Sequence, residues 1–188
     1  MGSKDFTSEC RRCSLAECRT QVVFGVGSLK ANLVLIGEAP DSNEDLEGKP
    51  FVGRSGEIVD QMLDAINYDR KKVFITNLCL CRPVNDKGGN RTPTKKEVKA
   101  CRKRLIKTLH RIGRYGILYG LAASEAVLKV KWPQWGRPVY CEEVGKWFTP
   151  VKHPSWYLCG KKKYIPFAIT EFIEAIKKMR KLYKLGET

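Results

Sequence analysis

The stretch that decides the fold is residues 32–56, NLVLIGEAPDSNEDLEGKPFVGRSG. Its first six residues are a short, branched, apolar run of the kind that makes a buried strand. Directly after the run come Gly37, Gly48, Gly53 and Gly56, the prolines Pro40 and Pro50, and the carboxylates of Glu38, Asp41, Glu44, Asp45 and Glu47. Open α/β sheets present their ligand sites in this way, on polar loops at the carboxyl ends of strands. The carboxylates stand out because the chain is strongly cationic, with 35 Lys and Arg against 20 Asp and Glu.

Outward from this stretch, residues 72–77 (KVFITN) repeat the strand signal, and residues 115–120 (YGILYG) and 146–153 (KWFTPVKH) give weaker versions. Pro150 confines the last to an edge or a bulge, because proline cannot donate to a ladder. Helical spacing lies between the strands. Ser55 can cap a helix with Ile58, Val59, Met62, Leu63 and Ile66 on one face. Thr94 to Glu97 reads as a capping box, followed by a stripe of Val98, Cys101, Leu105 and Leu109. A third helix is expected near Ser124, and a last one turns Ile169, Phe172, Ile173, Ile176 and Met179 inward. The alternation predicts an α/β fold: a three-layer α/β/α sandwich around a short, mostly parallel four-stranded sheet. Residues 84–93 and 160–163 read as loops. With no internal repeat, residues 1–188 are expected to form a single domain. GEAP at 37–40, Asn77 and His153 all follow strands, which predicts one shared pocket.

The net charge of +15 points to a polyanionic partner, most simply nucleic acid; a basic surface kept for solubility is the plainer reading. No window approaches a membrane span, which argues against a membrane protein. The start of the chain has no apolar signal region, and Phe6 breaks the myristoylation pattern. Eight cysteines without an export signal imply a reducing intracellular compartment, cytoplasm or nucleoid, and thiols rather than disulfides. Cys10 and Cys13 form a C-x-x-C, Cys81 lies in NLCLCRP, and Cys101 sits on the stripe of the capped helix. Thiolates converging from these segments can hold zinc or an iron–sulfur cluster, and the spacing does not choose between them. Nor does it choose between Cys79 and Cys81, which face the same way on an extended strand. Cys18, Cys141 and Cys159 read as ordinary residues.

The ordered motifs CRRCSLAECRTQVVFGVGS, ANLVLIGEAPDSNEDLEGKPFVGRSG, ITNLCLCRP, NRTP, EVKAC and HPSWYL resemble the family 4 iron–sulfur uracil-DNA glycosylases. The resemblance runs from Cys10 to about Leu158. It implies a uracil-DNA-glycosylase-like fold and a [4Fe-4S] cluster on Cys10, Cys13, Cys81 and Cys101 that ties in the N-terminal segment, with zinc as the alternative metal. It selects Cys81 over Cys79. It further implies a DNA partner, single- or double-stranded, and a monomeric enzyme that hydrolyses the bond between uracil and deoxyribose after flipping the nucleotide out. Phe51 would stack on the base and Asn77 would read its edge, while His153 would face O2. Gly37, Glu38 and Ala39 would complete the substrate pocket, and Glu44 and Asp45 match the family's acidic pair.

The chemistry asks for these residue types independently. An extruded base needs an aromatic platform to replace lost stacking. Uracil offers an acceptor beside a donor, and an oriented side-chain amide offers the complement. Departure of the base leaves charge on O2, so a donor aimed there favours the transition state. Asp41 stands where the family usually has Gly. Glycine accepts positive φ and close approach, whereas Asp tolerates that backbone less well and adds a carboxylate. Asp41 therefore joins His153 and Glu44 as a catalytic candidate that orients water, with altered base preference (hypoxanthine or xanthine) and a DNA-binding module without activity as the alternatives. Trp156, Tyr157 and Leu158 occupy the loop that wedges DNA in this superfamily, with aromatics at unusual positions.

Overall fold

A computed structural model describes residues 7–160 and 162–185. The readings placed on Phe6 and on Lys161 of the basic loop lie outside the described residues. The chain opens with α1 (Leu15–Cys18), β1 (Val26–Gly27) and β2 (Leu33–Gly37), then α2 (Ser42–Glu47) and α3 (Arg54–Asp64). β3 (Phe74–Asn77), α4 (Lys95–Arg111), β4 (Tyr115–Tyr119) and α5 (Gly120–Leu128) follow. β5 (Val139–Cys141), β6 (Lys146–Val151), α6 (Pro154–Leu158) and α7 (Ile165–Leu185) complete it.

The sheet has six strands in the order β1-β3-β2-β4-β6-β5, not the expected four. Its centre, β3-β2-β4-β6, is parallel as predicted, and the two added edge strands are antiparallel. Both are too short, at two and three residues, to leave a periodic signal in the sequence. β2 is buried along its whole length, because helices cover both faces of the sheet. Val34 and Ile36 pack with Leu105 and Leu109 of α4 and Ala123 of α5 on one side. Leu33 and Leu35 pack with Val59 and Met62 of α3 and Phe172 and Ile176 of α7 on the other. The three-layer sandwich follows from this alternation.

Three local expectations change. α3 begins at Arg54 behind Gly53, so Ser55 lies inside the helix rather than capping it. α5 begins at Gly120, and Ser124 is an interior residue whose hydroxyl donates to Gly120 O at 2.7 Å. β6 is not an edge strand, since β5 pairs beside it. That ladder ends at Phe148, so Pro150 stands beyond the place where an N–H would be needed. The capping box is present: Thr94 Oγ1 accepts from Glu97 N, and Glu97 returns the bond to Thr94 N at 2.7 Å.

Candidate active site

Where β2 ends, Asp41 caps α2. Its Oδ1 accepts from Asn43 N at 2.9 Å and Glu44 N at 3.0 Å, and Glu44 Oε2 accepts in return from Asp41 N at 3.1 Å. Asp41 has φ −88° and ψ −170°, extended backbone open to any residue, so the conflict expected from replacing glycine does not arise. The second oxygen of Glu44 accepts from the Phe51 N–H. Burial, with the Asp41 charge adding to it, pushes the Glu44 carboxyl up to about 7. Glu44 thus spends both oxygens on the backbone of the loop.

Phe51 adopts φ +56°, a left-handed conformation that costs a branched or bulky residue about 1–2 kcal/mol. It is held there from two sides, by Glu44 at its N–H and by Arg70 Nη2, which donates to its carbonyl at 2.8 Å. Two glycines make the placement sterically open. A Cβ on Gly56 would lie 2.0 Å from Phe51 O. A Cβ on Gly37 would lie 2.8 Å from the Phe51 ring and 2.2 Å from Asn77 Oδ1. The Phe51 ring rests on Tyr119, centroids 5.5 Å apart, and lies 5.9 Å from the His153 ring at 28°.

Asn77 ends β3 opposite Gly37 in the parallel register. Its side chain is 2% exposed, and among the described residues Nδ2 makes no hydrogen bond of standard geometry, while the amide interacts with the Glu44 carboxyl and opposes the rise that burial causes there. Its carbonyl is fixed by Arg104 of α4, which donates to Asn77 O at 2.7 Å, Leu78 O at 2.8 Å and Thr76 Oγ1 at 3.3 Å. Burial lowers Arg104 to about 10, still cationic at neutral pH. His153 caps α6. Its Nδ1 accepts from Ser155 N at 3.2 Å and lies 2.8 Å from Ser155 Oγ. A ring nitrogen that accepts an N–H carries a lone pair, which places the proton of the neutral ring on Nε2. Burial pushes His153 down to about 4 against the opposing pull of Asp41, so the ring is neutral at physiological pH.

These groups open on one cavity of about 360 Å³, with Glu38, Ala39, Asp41, Glu44, Phe51, Asn77 and His153 on its wall. Burial raises the Glu38 carboxyl, and hydrogen bonding with the Thr92 side chain partly opposes the rise. Pro40, Ser55, Pro83, Asn90, Arg91, Thr92 and Ser155 complete the lining. Asp45, expected beside Glu44 at the pocket, instead turns away: it is 1% exposed and accepts from Thr20 N at 3.1 and 2.9 Å, which ties the N-terminal segment to α2. Of the expected wedge, Tyr157 is a correction as well. Its ring is 4% exposed and packs into the core of the α3–α7 face, whereas Trp156 and Leu158 are only partly buried.

Cys10, Cys13, Cys81 and Cys101 line a second, narrow cavity, and Cys79 is not among its lining residues. Arg12 and Arg19 share that wall, and Arg19 Nη1 donates to Cys81 Sγ at 3.2 Å. Arg104 lies within electrostatic reach of Cys101, Cys79 and Cys81 from the buried side. Four thiols among guanidinium groups suit a thiolate-bound group of negative charge, the donor chemistry of an iron–sulfur cluster. The thiols stand around the cavity rather than at a point: among the described residues no group of three His, Cys, Asp or Glu side chains is placed to hold a single metal ion. Cys18, Cys141 and Cys159 lie off this wall. Glu97 clamps the surroundings, accepting from Ser14 Oγ at 3.0 Å and from both Arg91 terminal nitrogens at 2.8 Å.

The model of the uracil DNA glycosylase superfamily matches residues 24–180. A type-4 uracil-DNA glycosylase of Archaeoglobus fulgidus is 46% identical over 185 residues, covering 92% of this chain and 87% of the relative. The chain belongs to the type-4 uracil-DNA glycosylase family. A second type-4 relative, from Thermotoga maritima, is 33% identical over 178 residues, 90% of this chain and 88% of its own. The crystal structure of Pedobacter heparinus SMUG2 shares the fold, with a TM-score of 0.57 at 15% identity over 81% of this chain and 77% of that one. Within this type-4 member, sequence reasoning missed the residues that support the site. Ser155, two positions after His153, had a readable signal as a partner for the imidazole. Arg104 also had one, falling three residues after Cys101 on an otherwise apolar stripe. Tyr119 had none, because its contacts with Phe51 and His153 cross between distant segments.

Proposed function

We propose that this chain excises uracil from DNA, hydrolysing the C1′–N1 bond of a flipped nucleotide without cutting the strand. The observation that carries the reading is the convergence of the Phe51 ring, the buried unpartnered amide of Asn77 and the Nε2–H of His153 on one cavity in a member of the type-4 family. The Phe51 ring replaces the stacking that the base loses on extrusion. The Asn77 amide pairs with the N3–O4 edge, and a buried amide left without a partner makes wrong bases costly. As the glycosidic bond lengthens, charge grows on uracil O2, and a neutral imidazole donor is worth more there than in the ground state.

The carboxylates divide the remaining work. Glu44 holds Phe51 and α2, so its part is positioning. Asp41 lines the cavity and, among the described residues, no group bonds its Oδ2. We assign it the orientation of water towards C1′ and electrostatic support of the sugar cation. Its relaxed backbone favours an active enzyme over a binding-only relative. Among the described residues no lysine lines the cavity, and base release without strand cleavage is the reaction we assign. Cys10, Cys13, Cys81 and Cys101 would hold a [4Fe-4S] cluster that clamps the N-terminal segment, the loop after β3 and α4. The protein would act as a monomer on DNA in a reducing compartment. The test is incubation with single- and double-stranded oligonucleotides carrying one uracil, hypoxanthine or xanthine, followed by alkali. Alkali-dependent cleavage at uracil is expected. Intact strands at enzyme excess across pH would overturn the activity, and release of a purine in place of uracil would overturn the substrate.

A further inference from the structure

Next to the cavity three aromatic rings leave the core in a row. Trp156 of α6 lies 6.4 Å from Tyr164, which lies 6.2 Å from Phe167 on the first turn of α7. Tyr164 is 40% exposed and Phe167 is 70% exposed, and neither belongs to the packed core on either face of the sheet. The row is flanked by cations: Lys152 Nζ sits 4.3 Å above the Trp156 ring and Lys163 Nζ 5.2 Å above that of Tyr164. Trp156 directly follows Ser155 of the cavity wall, so the row begins at the rim of the cavity and becomes more exposed towards Phe167. A solvent-facing Phe beside Tyr and two lysines is poor packing for a free surface, and it is the composition that unpaired nucleotides select: π-faces for the bases and ammonium groups for the phosphates.

We propose that Trp156, Tyr164 and Phe167 form a stacking track for unpaired nucleotides of the strand that carries the flipped base. Spacings of 6.2–6.4 Å exceed the roughly 3.4 Å rise of a stacked strand, so bases on this track must be splayed apart. The occupant is therefore single-stranded or locally melted DNA rather than an intact duplex. That the bound strand is the one carrying the flipped base rests on the reading above, whereas the stacking on these rings does not.

The test is a fluorescence anisotropy titration with an oligothymidine of about 12 nucleotides, which contains no uracil, and with a duplex of the same length. The double variant Tyr164→Ala/Phe167→Ala is expected to bind the single strand at least about tenfold more weakly, while Tyr164→Phe/Phe167→Tyr stays within about threefold of the parent. The ratio of single-strand to duplex affinity should fall in the alanine variant alone. Unchanged oligothymidine affinity in that variant, or an equal loss on duplex, would overturn the track. A parent chain that binds oligothymidine through these rings yet releases no uracil would overturn the activity and leave the track standing, which separates the two failures.

Discussion

At the scale of single residues, Asp41 carries two jobs that can be separated. Its Oδ1 caps α2, and its charge faces the cavity and His153. Asparagine caps as well as aspartate, so Asp41→Asn should unfold within about 0.5 kcal/mol of the parent while its uracil release falls by about 10²-fold. Asp41→Ala should lose the cap too, at a cost of about 1 kcal/mol. Thermal unfolding and release rates measured on the same samples check both, and full activity in Asp41→Asn would reduce the residue to a cap. His153 is one of only two histidines, which makes its protonation directly visible. Nitrogen-15 correlation spectra at neutral pH should show it as the neutral Nε2–H form, still neutral at pH 5 because its pKa is depressed to about 4. An imidazolium at pH 6 would contradict Nδ1 as the acceptor of the Ser155 N–H. His153→Ala should lower the release rate by about 10²–10³-fold.

At the scale of elements, the short α2 is the frame of the site, because Glu44 joins its start to Phe51. The buried carboxyl has its pKa raised from 4.5 to about 7, so the folded state holds the proton more tightly than the unfolded chain. Stability from this source is complete below pH 4.5 and is lost as pH rises through about 7, a change on the order of 3 kcal/mol. Unfolding temperatures measured from pH 4.5 to 7.5 should therefore decline in the parent by more than in Glu44→Gln, which cannot ionise. An identical pH slope in the two proteins would show that Glu44 is charged throughout. The elements themselves were unevenly legible. β2 and β3 were readable because strands buried on both faces are continuous apolar runs. The start of α3 differs from the expectation, because Ser55 is a good capping residue by type while the chain turns two residues earlier, with Gly53 at the cap and Gly56 packed close against Phe51 O. The edge strands were not readable, since each exists only by pairing with a neighbour.

At the scale of the whole molecule, two cavities sit at one end of the sheet and share supports. Arg104 reaches Asn77 from the cysteine side, and Glu97 joins Ser14 beside Cys13 to Arg91 on the wall of the larger cavity. Loss of the cysteine-bound group should therefore loosen more than the N-terminal segment. Cys81→Ala and Cys101→Ala are expected to lose iron from about four per chain and to unfold at lower temperature, whereas Cys79→Ala and Cys141→Ala keep the iron. Metal analysis and visible absorbance decide the matter, and stoichiometric zinc in a colourless parent protein would refute the cluster. The sequence by itself determined the parallel centre of the sheet, the order of the motifs and the placement of GEAP, Asn77 and His153 at strand ends, because periodicity and strand-end placement are local properties of a chain. Only the tertiary structure decided what each group can do there. It turned Asp45 and Tyr157 away, committed both oxygens of Glu44 to backbone, relaxed Asp41 and fixed the proton of His153 through Ser155. Those outcomes depend on hydrogen bonds and burial between segments far apart in the chain, and no local pattern carries that information.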